Sequence, residues 1–309
     1  MSLQQKKGYL MILTAGILWG SIGFFTTVLK QMGAEAATVA FLRIGVGAVI
    51  LIPLMVAMQG RKLFLIDGKG LAMCLILGIF CQALFNFAYT ESVNRVGVAT
   101  ASVLLYTSPI FVTVMARVFF KEKIGKVKLI ALFMNVLGCI MTVTGGDFSS
   151  VHFSVYGVAA GVAAGFLYAM MTILSTLMHD YEPLTVVFYS FVFGAAVLGI
   201  FSGSFENIVQ IASPVFVLAA AGFGLIPTVG SYFFYMKGLA QRLETSKVPV
   251  VASIETVVAA AIGVLVFQEG LSVGKFAGIC CVLASIAVMN LFVKDKKSEA
   301  DQIENEEVF

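Results

Sequence analysis

The chain has 309 residues, 60% hydrophobic and 12% charged, with a formal net charge of +3 at pH 7. A soluble globular protein is about half apolar and about a quarter charged. The composition therefore excludes a soluble domain and marks an integral membrane protein. The small positive excess sits in the ends and connections, where it reports orientation in a bilayer rather than a nucleic-acid partner.

Ten apolar runs follow one another, each about long enough to cross a ~30 Å hydrocarbon layer as a helix. The first, 8–28, follows Lys6 and Lys7 and carries Trp19 well away from its ends. It has no small-x-small cleavage site leading into polar sequence, so it reads as a retained helix rather than a signal peptide. The second, 37–58, carries Arg43 about six residues in. The third, 70–91, carries Gln82 and Asn86 and ends near Glu91 and Arg95, an i, i+4 surface pair.

The fourth run, 98–119, holds Tyr106, Ser108 and a mid-helix Pro109, and the fifth, 126–144, holds Asn135. Between them "FKEKIGKVK" (120–128) reads as a cytoplasmic anchor. The sixth, 155–177, has Tyr168 and a stripe of Gly157, Gly161 and Gly165 that would let helices approach closely. After the seventh, 184–204, comes the eighth, 214–236, with Pro227 and Tyr232. The ninth, 247–267, contains Glu255, and the tenth is 274–293. The tail 294–309 is polar and charged, which predicts disorder.

Lys and Arg in alternate connections orient the chain. With the N-terminus inside, fifteen fall on the inner side and three, Lys30, Arg95 and Lys275, on the outer. Both termini are expected in the cytoplasm, with the protein in the cytoplasmic membrane.

The chain also resembles itself. Residues 8–30 match 157–179 at an offset of 149, and 38–48 match 185–195 at 147. Arg95 pairs with Arg242, and Glu122 with Glu269, at the same 147. Five helices per repeat is an odd number, so the second repeat must be inverted. The expected fold is an all-α integral membrane protein of ten transmembrane helices in two inverted five-helix repeats, 1–149 and 150–293. Inverted repeats build many secondary transporters, with substrate held near the midplane between them.

The segments "AGILWGSIGFF", "FLRIGVGA" and "SIETVVAAAIGVLVFQE" resemble the EamA-type drug/metabolite transporters over about residues 8–293. The resemblance implies a ten-helix inverted-repeat fold in the cytoplasmic membrane. It also implies export of small metabolites, often amino acids, commonly driven by a proton or substrate gradient. The family often has Glu-Pro in its ninth helix, whereas here the pair is Glu255-Thr256. The kink would then be absent, or moved to Pro249.

Glu255 is the acid that cannot be placed in a loop, a tail or near a helix end. It lies about 12 Å along its helix at 1.5 Å per residue. An ionised carboxylate there costs ~2.5 kcal/mol or more, so it must face protein or water, find a cation, or take a proton. A hydrogen-bonded packing role and a role in substrate or proton handling both remain open. Arg43 reads either as a snorkelling anchor or as a contact for a substrate carboxylate or for Glu255. Pro109 and Pro227 would free the carbonyls of Leu105 and Phe223, either as plain kinks or as breaks lining a cavity.

Trp19, Gln82, Asn86, Tyr106, Ser108, Tyr168 and Tyr232 are candidate walls of such a cavity, although each taken singly also suits interhelical packing. As a set they suit a small zwitterion or weakly polar metabolite. The two histidines lie far apart in connections, and the five cysteines show no metal-like spacing and read as buried small hydrophobes. No cofactor or metal is expected. An intramembrane enzyme would need a nucleophile and base or a metal pair, which the spans do not supply. The expected function is secondary export of a small organic metabolite. Uptake or facilitated diffusion along the same path is the alternative, with lipid and a small-molecule substrate as partners. The oligomeric state is not legible.

Overall fold

The structure, a computed structural model, describes residues 3–147, 154–201 and 203–292. These residues are almost wholly helical, with no strand among them. Among the described residues nine helices are long and apolar enough to cross a membrane, and the shorter Ser108–Phe119 completes the set.

In chain order, α1 is Leu3–Gln31 and α2 is Ala36–Gln59. Residues 68–96 form α3 and residues 98–119 form α4. Then come α5 (Lys126–Thr144), α6 (Val155–Leu177), α7 (Pro183–Phe201), α8 (Pro214–Leu239), α9 (Thr245–Leu265) and α10 (Val273–Phe292).

The division between α3 and α4 rests on Gly97, whose φ of 81° and ψ of 163° lie outside any helix. Only glycine adopts such a φ without strain. On its two sides the hydroxyls of Tyr89 and Ser102 meet at 3.1 Å. Unbroken helix would hold those two residues about 20 Å apart, so the chain reverses at Gly97. The α6 helix lies against both arms of this hairpin. A Cβ on Gly161 would stand 2.6 Å from Leu104 Cδ1 and 2.7 Å from Ser92 Oγ. The close approach expected of the glycine stripe is therefore present.

Local geometry recurs along the chain as the duplication predicts. α3 carries a π-helical stretch at Leu77–Leu84, and α8 carries one at Leu225–Gly230, centred 147 residues on. α4 is interrupted at Tyr106 and Thr107, and α9 at Ser253, again at that offset. The core runs between the repeats. Tyr9, Ile12 and Trp19 of α1 pack with Tyr232, Tyr235 and Leu239 of α8 and with Val248 and Val251 of α9.

Several expectations from sequence need correction. The seventh run ends at Phe201, and a separate helix Ser204–Ile211 follows in the connection. There Asn207 holds the α1–α2 turn, its Oδ1 accepting Glu35 N–H at 3.0 Å and its Nδ2 donating to Gly33 O at 3.2 Å. Cys280 is exposed and Cys281 half-buried, while Cys74, Cys81 and Cys139 are buried as expected. The "FKEKIGKVK" run is no plain anchor, because its Lys128 is 1% exposed and sits in an ionic network. His152 and the tail lie outside the described residues.

Candidate functional site

Two broken helices face each other at the centre of the molecule. In α9, Ser253 separates the helical segments Val248–Ala252 and Ile254–Leu265. Its Oγ donates to Val250 O at 2.7 Å and accepts Asn135 Nδ2 at 2.5 Å. Asn135, fully buried on α5, also donates to Ser285 Oγ of α10 at 3.1 Å. The break therefore exists without proline at 256 and is not moved to Pro249, which opens the first segment. A side-chain amide fastens it instead.

In α1 the break is at Gly20–Ser21, with Ser21 Oγ bonded to Leu18 O at 2.7 Å. The two breaks touch through glycine. A Cβ on Gly16 would stand 2.6 Å from Ala252 O, and one on Gly20 would stand 2.9 Å from Glu255 O. Glu255 opens the second segment of α9, where a carboxylate favours the positive end of the helix dipole. It is half-buried, and its carboxylate accepts no hydrogen bond among the described residues.

Around it stand the groups that a sequence reading selected one by one. Arg43, Tyr106, Tyr168 and Tyr232 all lie within electrostatic reach of Glu255. Arg43 itself has Nε and Nη2 shielded and without a hydrogen-bond partner. A buried donor left unbonded costs on the order of 1–3 kcal/mol, and more when charged. Such a group invites an acceptor.

Trp19 forms an aromatic wall with Tyr168 at 6.3 Å, Tyr232 at 5.5 Å and Tyr235 at 4.9 Å between ring centroids. The Gln82 amide meets the Tyr232 hydroxyl, with Nε2 at 3.1 Å and Oε1 at 3.2 Å. Tyr106 accepts from Thr256 Oγ1 at 2.9 Å, so the residue that follows Glu255 fastens α9 to α4.

The two prolines sit at breaks. Pro227 lies in the π-helical stretch of α8, and the hydroxyl of Thr228 supplies Phe223 O with a donor at 2.8 Å. Pro109 opens the second segment of α4, after the interruption at Tyr106 and Thr107. Two other candidates stand apart. Asn86 donates its Nδ2 to Gln82 O at 2.6 Å, a bond inside its own helix, and Ser108 is 2% exposed beneath the break.

Sequence reasoning missed Tyr235, which bonds Thr172 Oγ1 at 2.7 Å and packs tightest on Trp19. Its spacing of three from Tyr232 on one helix could have shown it. Nothing in the sequence marked Ser253. The arrangement holds one carboxylate and one guanidinium without partners of their own, framed by phenols. Among the described residues no cluster of His, Cys, Asp and Glu could hold a metal ion.

The EamA-like transporter family model matches residues 6–144 and 155–291, one match per repeat. A transporter of Archaeoglobus fulgidus described only as uncharacterized is 25% identical over 288 residues, covering 92% of this chain and 96% of its own. The pseudopaline exporter CntI of Pseudomonas aeruginosa is 29% identical over 185 residues, covering 58% of this chain and 63% of its own. A solved crystal structure superposes with a TM-score of 0.75 at 16% identity, covering 92% of this chain and 98% of the other, which shows the fold.

Proposed function

The chain belongs to the EamA-like transporter family, and we propose that it exports a small zwitterionic metabolite through the space between its two inverted repeats. The observation that carries the reading is the presence, beside one aromatic wall, of a carboxylate and a guanidinium, Glu255 and Arg43, that form no salt bridge with each other among the described residues. Each lies within electrostatic reach of the other, and neither side chain has a hydrogen bond among the described residues. A metabolite carboxylate would complete the Arg43 donors. Its amine, or a proton delivered from one side, would answer Glu255. The aromatic wall of Trp19, Tyr168 and Tyr232 would give the apolar part of the substrate a surface.

The protein is a multi-pass membrane transporter for a small molecule. The outward direction is supported by the pseudopaline exporter among its relatives. The face bearing Glu122 is cytoplasmic in this reading, as are both termini, and the repeats divide at 149/150.

The test compares extracellular metabolites from cells producing wild type, Glu255→Gln or no transporter. Accumulation of one compound outside only with wild type identifies a substrate and places Glu255 in the mechanism. Equal accumulation with both variants keeps export but removes Glu255 from it. Accumulation that matches cells without the transporter overturns export. In the same assay Arg43→Ala is expected to raise KM for the substrate by 10-fold or more, the value of about one charged hydrogen bond.

A further inference from the structure

The turns that follow α4 and α9 are built alike. Lys121 and Gln268 both take positive φ, 54° and 56°. The next N–H in each turn, of Glu122 and of Glu269, donates to a carbonyl six residues back, Ala116 O at 3.3 Å and Gly263 O at 3.0 Å. Each glutamate then meets a lysine: Lys128 Nζ lies 3.7 Å from Glu122, and Lys275 Nζ lies 2.8 Å from Glu269.

Beyond this the two turns differ. Glu122 accepts Thr245 N–H at 2.6 Å and Ser246 N–H at 3.1 Å, together with the Ser246 hydroxyl, and so clamps the start of α9 in the other repeat. Glu122 shortly precedes α5, whose N-terminus would favour a carboxylate, yet it caps α9 instead. At the same offset, the residues facing Glu269 would be Val98 and Ala99 at the start of α4. Among the described residues the Glu269 carboxylate bonds only Lys275, and its side chain is 54% exposed.

The helices show the same asymmetry. All of Val248–Ala252 is buried on the Glu122 face, whereas beyond the break only Thr256, Ala260 and Gly263 are. One face is locked, and the other is not.

In an inverted-repeat carrier the opposite state arises when the repeats move against each other around the site. A contact made by one repeat in this state is then available to the other repeat in the next. We propose that Glu269 is a second latch: when its face closes, its carboxylate accepts the N–H groups of Val98 and Ala99, and Glu122 releases Thr245 and Ser246. This rests on the reading of the chain as an alternating-access carrier. The second latch is the weaker one. Gly97 stands where the first has Glu244, and Ala99 where it has Ser246, so an acid and a hydroxyl are missing. The resting state is the one with Glu122 engaged.

Hydrogen–deuterium exchange on the full-length protein in lipid nanodiscs tests this without knowledge of the substrate. Amides at 245–250 exchange through the state in which Glu122 has let go. Glu269→Ala removes the bonds that hold that state, so exchange at 245–250 should slow by roughly 10-fold, the scale of one charged hydrogen bond. Glu122→Ala should speed exchange at 245–250 and slow it at 98–101, and Glu122→Gln should lie between it and wild type. Glu269 is half exposed, so its variant uncovers nothing buried. Unchanged exchange at 245–250 in Glu269→Ala would overturn the proposal. So would faster exchange in Glu122→Ala with no protection gained at 98–101, since that describes a local cap. A failure of the transport reading would show instead in the metabolite assay, with the reciprocal exchange intact.

Discussion

Replacing Lys128 with methionine tests whether the ionic network under the Glu122 face holds the two repeats together. The Lys128 ammonium donates to Glu244 Oε1 and Ser246 Oγ, both at 2.8 Å, and to Lys123 O at 3.2 Å. Removing one partner of a buried ion pair costs about 3–5 kcal/mol when the counter-charge is stranded. Here neither acid is stranded. Glu122 keeps Thr245 and Ser246, and Glu244 keeps Lys247 at 3.2 Å. The methionine also spares the desolvation of a buried ammonium. The expected loss is therefore below that range, at about 2 kcal/mol.

Equilibrium unfolding in mixed SDS micelles measures this loss. A cycle of Lys128→Met, Glu244→Gln and the double variant should show a coupling of about 1–2 kcal/mol. A Lys128→Met protein as stable as wild type, or a coupling of zero, would refute the reasoning. A loss above 5 kcal/mol would also refute it, by showing that the acids depend on Lys128 alone.

Two further predictions concern other parts of the molecule. Gly16→Val places a side chain against Ala252 O, a backbone atom that cannot swing aside. It should part the two breaks and abolish transport while the protein still inserts, as measured by flux beside membrane yield. Asp67 caps α3 by accepting Gly70 N–H at 2.9 Å, and that bond, followed by one from Tyr181, holds its carboxyl below the ordinary 3.8. A carboxyl with a lowered folded pKa stabilises above its unfolded value and loses that contribution as pH falls through the folded one. Wild type should therefore melt above Asp67→Ala at neutral pH, with the gap closing only in strong acid. A gap that persists in acid would assign the effect to packing.

Much of the fold was legible because its determinants are local. A run of about twenty apolar residues must become a spanning helix whatever surrounds it, since no water is available to its backbone. The hairpin at Gly97 and the paired turns at Lys121 and Gln268 are local too, although the sequence alone did not mark them as special. The same logic selected Glu255, because an acid within such a run is costly wherever the helix packs. The aromatic candidates Trp19 and Tyr168 were found by distance from helix ends and Tyr232 by its nearness to Pro227, and the three do meet. Tyr235 was missed because phenols are common near interfaces and one more raised no question.

The amino-acid sequence by itself determined the membrane class, the ten spans, the duplication and the isolated acid, all of which follow from hydrophobic length and from comparing the chain with itself. Tertiary structure alone decided which groups meet. Asn135 and Ser253 are 118 residues apart, and Lys128 and Glu244 are 116. Neither residue of either pair carries a mark of its partner, because a hydrogen bond between helices depends on rotation and depth, which hydrophobicity leaves undetermined. For the same reason a lysine that reads as part of an interfacial anchor proves to be buried, and a carboxylate that stands shortly before one helix reaches across to cap another in the other repeat.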